Sequence, residues 1–346
     1  MKKEAPNFYK NLIRRAWTIT KNHKYLWFFG FFSAILVGAA GEYNILVKNI
    51  DKISDKTSVF YGFEDSFFSQ GYFTDIYYRF ISLSEWMGPF VFWPILVLFV
   101  LLGLYALWVI LISEPSIISA TNKLDTKKKT SFSESFAEGK KNLLPSVVLN
   151  FISKILVWVA FVAAEVLLGY LFYTTANYSW VVIYLIISFL ILLPLAIIIS
   201  FVTKFALAYV VLKGEKIFSA LKKGWQLFFK NWLANLELAL IIFVIYFFVG
   251  IILFVILALI TLPLFLLMAV GITAGASLLS WFVFVLDIVI FFVSIVLVGS
   301  IMASWQLTSW VLMFDHLVND SVKSGIVESV EQAVKNRPFQ KKKSIK

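Results

Sequence analysis

Two acidic residues stand inside long apolar runs, Glu165 in VAFVAAEVLLGY and Asp287 in FVFVLDIVIFF, and they are the groups best placed to do chemistry. On insertion scales a carboxylate at the bilayer centre costs about 3 kcal/mol, while each surrounding Leu, Ile, Phe or Val returns about 0.3 to 0.6 kcal/mol, so both segments still insert. Such a residue faces a bundle interior and marks an ion, proton or substrate path, or else it bonds to backbone or hydroxyl groups and positions helices. Both readings stay open for Glu165 and Asp287.

Other chemistry finds little support. The absence of cysteine excludes disulfides, thiolate metal sites and thiol catalysis. The two histidines, His23 and His316, lie outside any HExxH spacing, and the chain has no GxSxG elbow and no GxxxxGK[ST] loop. Interfacial or capping histidines are expected, and no catalytic, cofactor-binding or metal-ligating residue is assigned. Glu114, Lys154, Lys204 and Glu237 fall where apolar runs begin or end, as snorkelling charges and local ion pairs do.

These groups must be positioned by a membrane protein. Apolar residues make up 60% of the chain, aromatic ones 18% and charged ones 15%, with a mean hydropathy of +0.86. Soluble domains carry about 25% charged residues. The net charge of +11 is distributed at the ends of apolar segments, which points to anionic lipid and against nucleic acid.

Lys213 to Trp232, KGEKIFSALKKGWQLFFKNW, carries the pattern around which the chain is organised. Ile217, Ala220, Leu221, Gly224 and Phe228 line one helical face, and Lys216, Lys222, Lys223, Gln226 and Lys230 the other. The same register recurs as Tyr9, Leu12, Ile13, Ala16 and Thr20, and as Phe132, Ser135, Phe136, Gly139 and Leu143. A fainter copy, Val318, Ser321, Val322 and Gly325, is followed by no apolar run. An internal repeat of interfacial amphipathic helix plus hairpin is expected, with units 1–118, 119–213 and 214–314 and a basic tail 315–346. Arg14, Arg15, Lys140, Lys141, Lys222, Lys223 and Lys230 are the candidate head-group contacts.

The expected fold is all-α and polytopic, with six spans. The first is 25–41, with a cleaved signal peptide as the rival reading, since Gly38, Ala39 and Ala40 follow an apolar core. The second, 89–112, closes at Glu114-Pro115. The next two are 144–173 and 180–208, the latter with an internal Pro194 that should kink it. The last two are 233–260 and 278–311, separated by a turn region marked by Pro263, Gly271 and Gly275, or by a re-entrant hairpin at 263–277. In the long loop 42–88, Phe73, Ile76, Tyr77, Phe80 and Ile81 line the face of an aromatic surface helix that either lies on the interface or binds a partner.

Lys and Arg alternate across these spans. Seven precede the first, six lie in 113–144, six in 204–230 and seven after the last, against four in 42–88 and none in 174–179 or 261–280. The positive-inside rule then places both termini in the cytoplasm, in a cell inner membrane.

NLIRRAWTITKNHKYLW (11–27) and SALKKGWQLFFKNW (219–232), each feeding an apolar hairpin, resemble the pattern of prokaryotic six-span proteins such as the membrane domain of glycerophosphoryl diester phosphodiesterases. The resemblance implies an association with lipid or envelope metabolism. The catalytic barrel of those enzymes, with its His and acidic metal ligands, has no counterpart in the chain, so catalysis does not carry over. The expected role is a non-enzymatic membrane component, without cofactor, that engages anionic lipids and a membrane or soluble protein partner. A carrier using Glu165 and Asp287, or a membrane subunit of a lipid-modifying enzyme, are the alternatives.

Overall fold

The computed structural model describes residues 5–37, 70–175 and 178–319, and all of its regular structure is helical. The end of the expected first span, most of the long loop, nearly all of the faint fourth copy and the basic tail lie outside the described residues. The helices are α1 (Ala5–Asn22), α2 (Tyr25–Val37), α3 (Gln70–Met87), α4 (Pro89–Asp125), α5 (Phe132–Lys141), α6 (Leu143–Thr175), α7 (Tyr178–Lys213), α8 (Ile217–Lys230), α9 (Trp232–Thr273) and α10 (Ser277–Asn319).

Among the described residues five segments are long and apolar enough to cross a membrane: Pro89–Asp125, Leu143–Ala164, Ile186–Lys213, Trp232–Thr273 and Ser277–Asn319. Tyr25–Ile35 is apolar but shorter. The chain is therefore a multi-pass membrane protein. At about 1.5 Å per residue, the 42 residues of α9 and the 43 of α10 reach well past a hydrocarbon core about 30 Å thick.

Two expected stops are not stops. The helix of α4 passes through Pro115 to Asp125, and that of α9 passes through Pro263 to Thr273. A proline removes one backbone hydrogen bond from a helix, and in a run this apolar there is no water to reward an early end. The break comes instead at 274–276, where Gly275 has φ +74°. Residues 263–273 thus form no re-entrant hairpin. Gly271 is helical and packs closely against Ser280, so the GxxxG pair divides into one turn glycine and one contact glycine.

Two compact units make up the chain, one of residues 35–111 and 147–201, the other of residues 1–34, 112–146 and 202–346. In the first, α3 covers the expected aromatic helix, with Tyr77 and Tyr78 exposed. Gly88, at φ +74°, separates α3 from α4, and Phe80 packs edge-on to Phe92 at 4.8 Å. Tyr184 of α7 donates to the carbonyl of Ala164 in α6 at 2.8 Å.

The second unit is built from short helices laid against the C-terminal ends of long ones. A Cβ on Gly139 of α5 would collide with Ser116 of α4 and lie 2.6 Å from the Ile112 carbonyl oxygen. On Gly224 of α8 it would lie 2.9 Å from the Val202 carbonyl oxygen and 3.0 Å from the Ala206 nitrogen of α7. Ala16, fully buried, is the small residue of α1, which lies along α10: Trp305 Nε1 reaches the Ile13 carbonyl at 3.5 Å, and Phe8 packs edge-on to His316 at 5.2 Å. Gly30 of α2 meets Ser300 and Ser304 of α10 in the same way. Small residues let helix backbones approach where no hydrophobic drive separates protein from lipid.

Gly139→Ala should therefore cost about 1–3 kcal/mol by overpacking, whereas Gly103→Ala, whose Cβ meets nothing within 4 Å, should be neutral or stabilising through helix propensity. Thermal unfolding in detergent separates the two, and equal behaviour of both variants would contradict the crossing.

Candidate functional site

All seven basic candidates, Arg14, Arg15, Lys140, Lys141, Lys222, Lys223 and Lys230, are exposed. Their helices turn the opposite face inward: Leu12, Ala16 and Ile19 in α1, Ser135 and Gly139 in α5, Ala220, Gly224, Leu227 and Phe228 in α8. Local chemistry sets each helix. Ser131 caps α5 by accepting from the Glu134 N–H at 3.3 Å, and the Asn142 side chain closes it on the Glu138 carbonyl at 2.9 Å. Gly214, at φ +66°, ends α7 and frees the chain to begin α8.

Two of the seven are structural. Arg15 pairs with Asp125 at the end of α4, Nε to Oδ1 2.9 Å, and donates from Nη2 to the Asp125 carbonyl at 3.1 Å. Lys223 pairs with Glu215 and lies over the Tyr209 ring at 6.0 Å. Arg14, Lys140, Lys141, Lys222 and Lys230 enter no ion pair among the described residues.

A second group of polar residues lies where α4, α7 and α10 end. Glu114 of α4 is 5% exposed. Lys204 lies over the Trp310 ring of α10 at 5.8 Å. Thr121 of α4 and Thr308 of α10, both fully buried, share a hydrogen bond at 3.3 Å, and Phe205 and Tyr209 of α7 pack on Phe314 of α10. Nearby, the Tyr9 hydroxyl donates to Glu237 Oε2 at 2.6 Å and approaches the Ala234 carbonyl at 3.3 Å, tying α1 to α9. Burial and that carboxylate push the Tyr9 phenol well above its ordinary range. Gln306 accepts from Tyr246 at 2.9 Å between α10 and α9.

The two carboxylates singled out in the sequence belong to different compact units. Glu165 occupies a helical position in α6, its side chain outside the described residues. Asp287 is half-buried in α10, and its Oδ1 is buried without a hydrogen-bond partner among the described residues. His23 donates from Nδ1 to the Ile19 carbonyl at 2.9 Å, and His316 packs on Phe8. Among the described residues no group of three His, Asp or Glu side chains could hold a metal ion.

Sequence reads Glu114 and Lys204 as boundary charges, whereas the structure buries Glu114 and sets Lys204 over the Trp310 ring. Hydropathy places each at the end of an apolar run, but nothing in the spacing says that runs far apart in sequence end side by side.

No family model matches the chain, and no curated protein or solved structure is similar to it.

The Glu215 carboxyl is held below the usual carboxylate range by hydrogen bonds from Lys223 and from Ser219 Oγ, the latter at 2.8 Å. A depressed folded value means the stabilisation is present above the unfolded value of about 4.3 and is lost as pH falls through the folded one. Thermal stability followed from pH 6 to pH 2 should then fall more steeply in the parent than in Glu215→Gln, the curves converging in acid. Parallel curves would mean that this contact does not hold α8.

Proposed function

We propose that the chain is a non-enzymatic component of a cell inner membrane, built of three repeated units and six crossings with both termini cytoplasmic, that engages anionic lipid through α1, α5 and α8. The observation that carries this is the division of each short helix. One face is buried on the end of a long helix, and the other presents Lys or Arg to the surroundings. A helix held in that way sits at the depth of phosphate head groups when the long helix crosses the bilayer, and each nearby Lys or Arg then contributes about 1 kcal/mol of attraction to an anionic surface. The recurrence of the small-residue contact at Gly139 and Gly224, with Ala16 in the same register, supports the repeat.

The roles within the basic set differ. Lys140, Lys141, Lys222, Lys230 and Arg14 are the lipid contacts, while Arg15 and Lys223 fasten their helices. The resemblance to phosphodiesterase membrane domains suggests lipid or envelope metabolism as the setting and a soluble catalytic chain as a partner. One observation favours a carrier as the second reading, the buried and unpartnered Oδ1 of Asp287.

Native mass spectrometry of the protein in nanodiscs of mixed neutral and anionic lipid tests both. Replacing Lys140, Lys141, Lys222 and Lys230 with Gln should lower the excess of anionic lipid retained by about tenfold or more, with Asp287→Asn unchanged. An unaltered lipid ratio in the fourfold variant would overturn the lipid reading. Loss of a retained small molecule in Asp287→Asn alone would establish the carrier in its place.

A further inference from the structure

Of the three short basic helices, α8 alone carries a row of exposed aromatic rings. Phe218 is 81% exposed, Trp225 52% and Phe229 45%, and the last two pack together with ring centroids 4.5 Å apart. At 3.6 residues per turn these three positions fall within about 40° of one another around the helix. Lys222, Gln226, Lys230 and Lys223 occupy about the next 100°. Ala220, Gly224, Leu227 and Phe228 take the buried side. The helix therefore has three sectors, one packed on protein, one aromatic and one basic.

The register shared by the short helices sets α8 apart. When they are aligned on the small residues Ala16, Gly139 and Gly224, the places of Phe218, Trp225 and Phe229 hold Lys10, Trp17 and Lys21 in α1. In α5 the first two places hold Ser133 and Lys140, and the third falls beyond the end of the helix. A row of large rings is a liability in water and a gain among acyl chains.

The row also continues. Across Asn231, the large side chains of Trp232, Leu236, Leu240, Phe243 and Phe247 are exposed along α9, a helix long and apolar enough to cross a membrane. The adjoining charge suits the same surroundings. Lys222 stands four residues after Phe218 and three before Trp225, so on the helix surface it borders both, as a lysine does where a phosphate lies above acyl chains.

We propose that α8 is inserted into the lipid surface, with Phe218, Trp225 and Phe229 among the upper acyl chains and Lys222 beside them at the level of the phosphates. The helices α1 and α5, which lack the row, stay at the head groups. This rests on the reading of α8 as a lipid contact and adds a division of labour to it. The rings grip phospholipid of any charge, and the lysines select the anionic ones.

The lack of native cysteine allows Phe218→Cys, Trp225→Cys, Phe229→Cys and Gln226→Cys, made singly in the full chain, to carry a nitrobenzoxadiazole label. In nanodiscs of phosphatidylcholine and phosphatidylglycerol, a nitroxide on the acyl chains should quench the first three labels severalfold more than the fourth, and aqueous iodide should do the reverse. Labels at Lys10→Cys and Ser133→Cys should behave like the one at position 226. With Lys140, Lys141, Lys222 and Lys230 replaced by Gln, nitroxide quenching at 218, 225 and 229 should persist. Loss of the anionic-lipid reading, seen as an unaltered lipid ratio, is thereby told apart from loss of insertion. Iodide quenching at 218, 225 and 229 equal to that at 226 overturns the insertion. Protection from both quenchers also overturns it, since a second copy of the chain or another protein would then cover the rings. Nitroxide quenching at positions 10 and 133 as strong as at 218 overturns the distinction between α8 and the other two helices.

Discussion

The constraint on which the second compact unit depends is the close approach of short helices to the ends of long ones. In a bilayer, apolar side chains gain little by leaving lipid for protein, so helices associate where backbones can come near and polar groups can be shared. Gly139 and Gly224 lie directly on carbonyls and small side chains of α4 and α7, and Gly30 on Ser300 and Ser304 of α10. A larger residue at any of these places would hold the helices apart.

From those contacts follows the distribution of everything polar. The first halves of α4 and α10 expose large apolar residues such as Phe90, Phe99, Leu278 and Trp281, as helices surrounded by acyl chains do. Ser113, Glu114, Thr121, Thr203, Ser304 and Thr308 are buried toward the C-terminal ends of α4, α7 and α10, where α1, α5 and α8 pack. Arg14, Lys140, Lys141, Lys222 and Lys230, which enter no ion pair among the described residues, are exposed. Packing therefore separates the structural charges from those free to meet a lipid head group.

Much of this was legible in the chain, and the failures are specific. The period of 3.6 located α1, α5 and α8, because a helix with one buried face must repeat its small and apolar residues at that spacing. Proline misled twice. Pro115 and Pro263 were read as stops on rules drawn from helices in water, whereas α4 and α9 continue through both. Gly271 and Gly275 looked alike as a motif, but only the backbone dihedral separates a turn residue from a contact residue. Depth in an apolar run made Glu165 and Asp287 conspicuous. Glu114 and Lys204 sit at the ends of runs and are inconspicuous, since local sequence carries no record of which ends adjoin. The docking of α1 on α10, with almost the whole chain between them, was invisible for the same reason.

That docking is the most demanding feature of the fold, because it makes the first helix close on the last. Replacing Phe8 by a photoreactive benzoylphenylalanine, irradiating the protein in nanodiscs and mapping the products by mass spectrometry would test it directly. The Phe8 and His316 rings are 5.2 Å apart, so the predicted product joins α1 to the peptide around His316. Adducts confined to lipid, or to helices other than α10, would contradict the docking of α1 on α10.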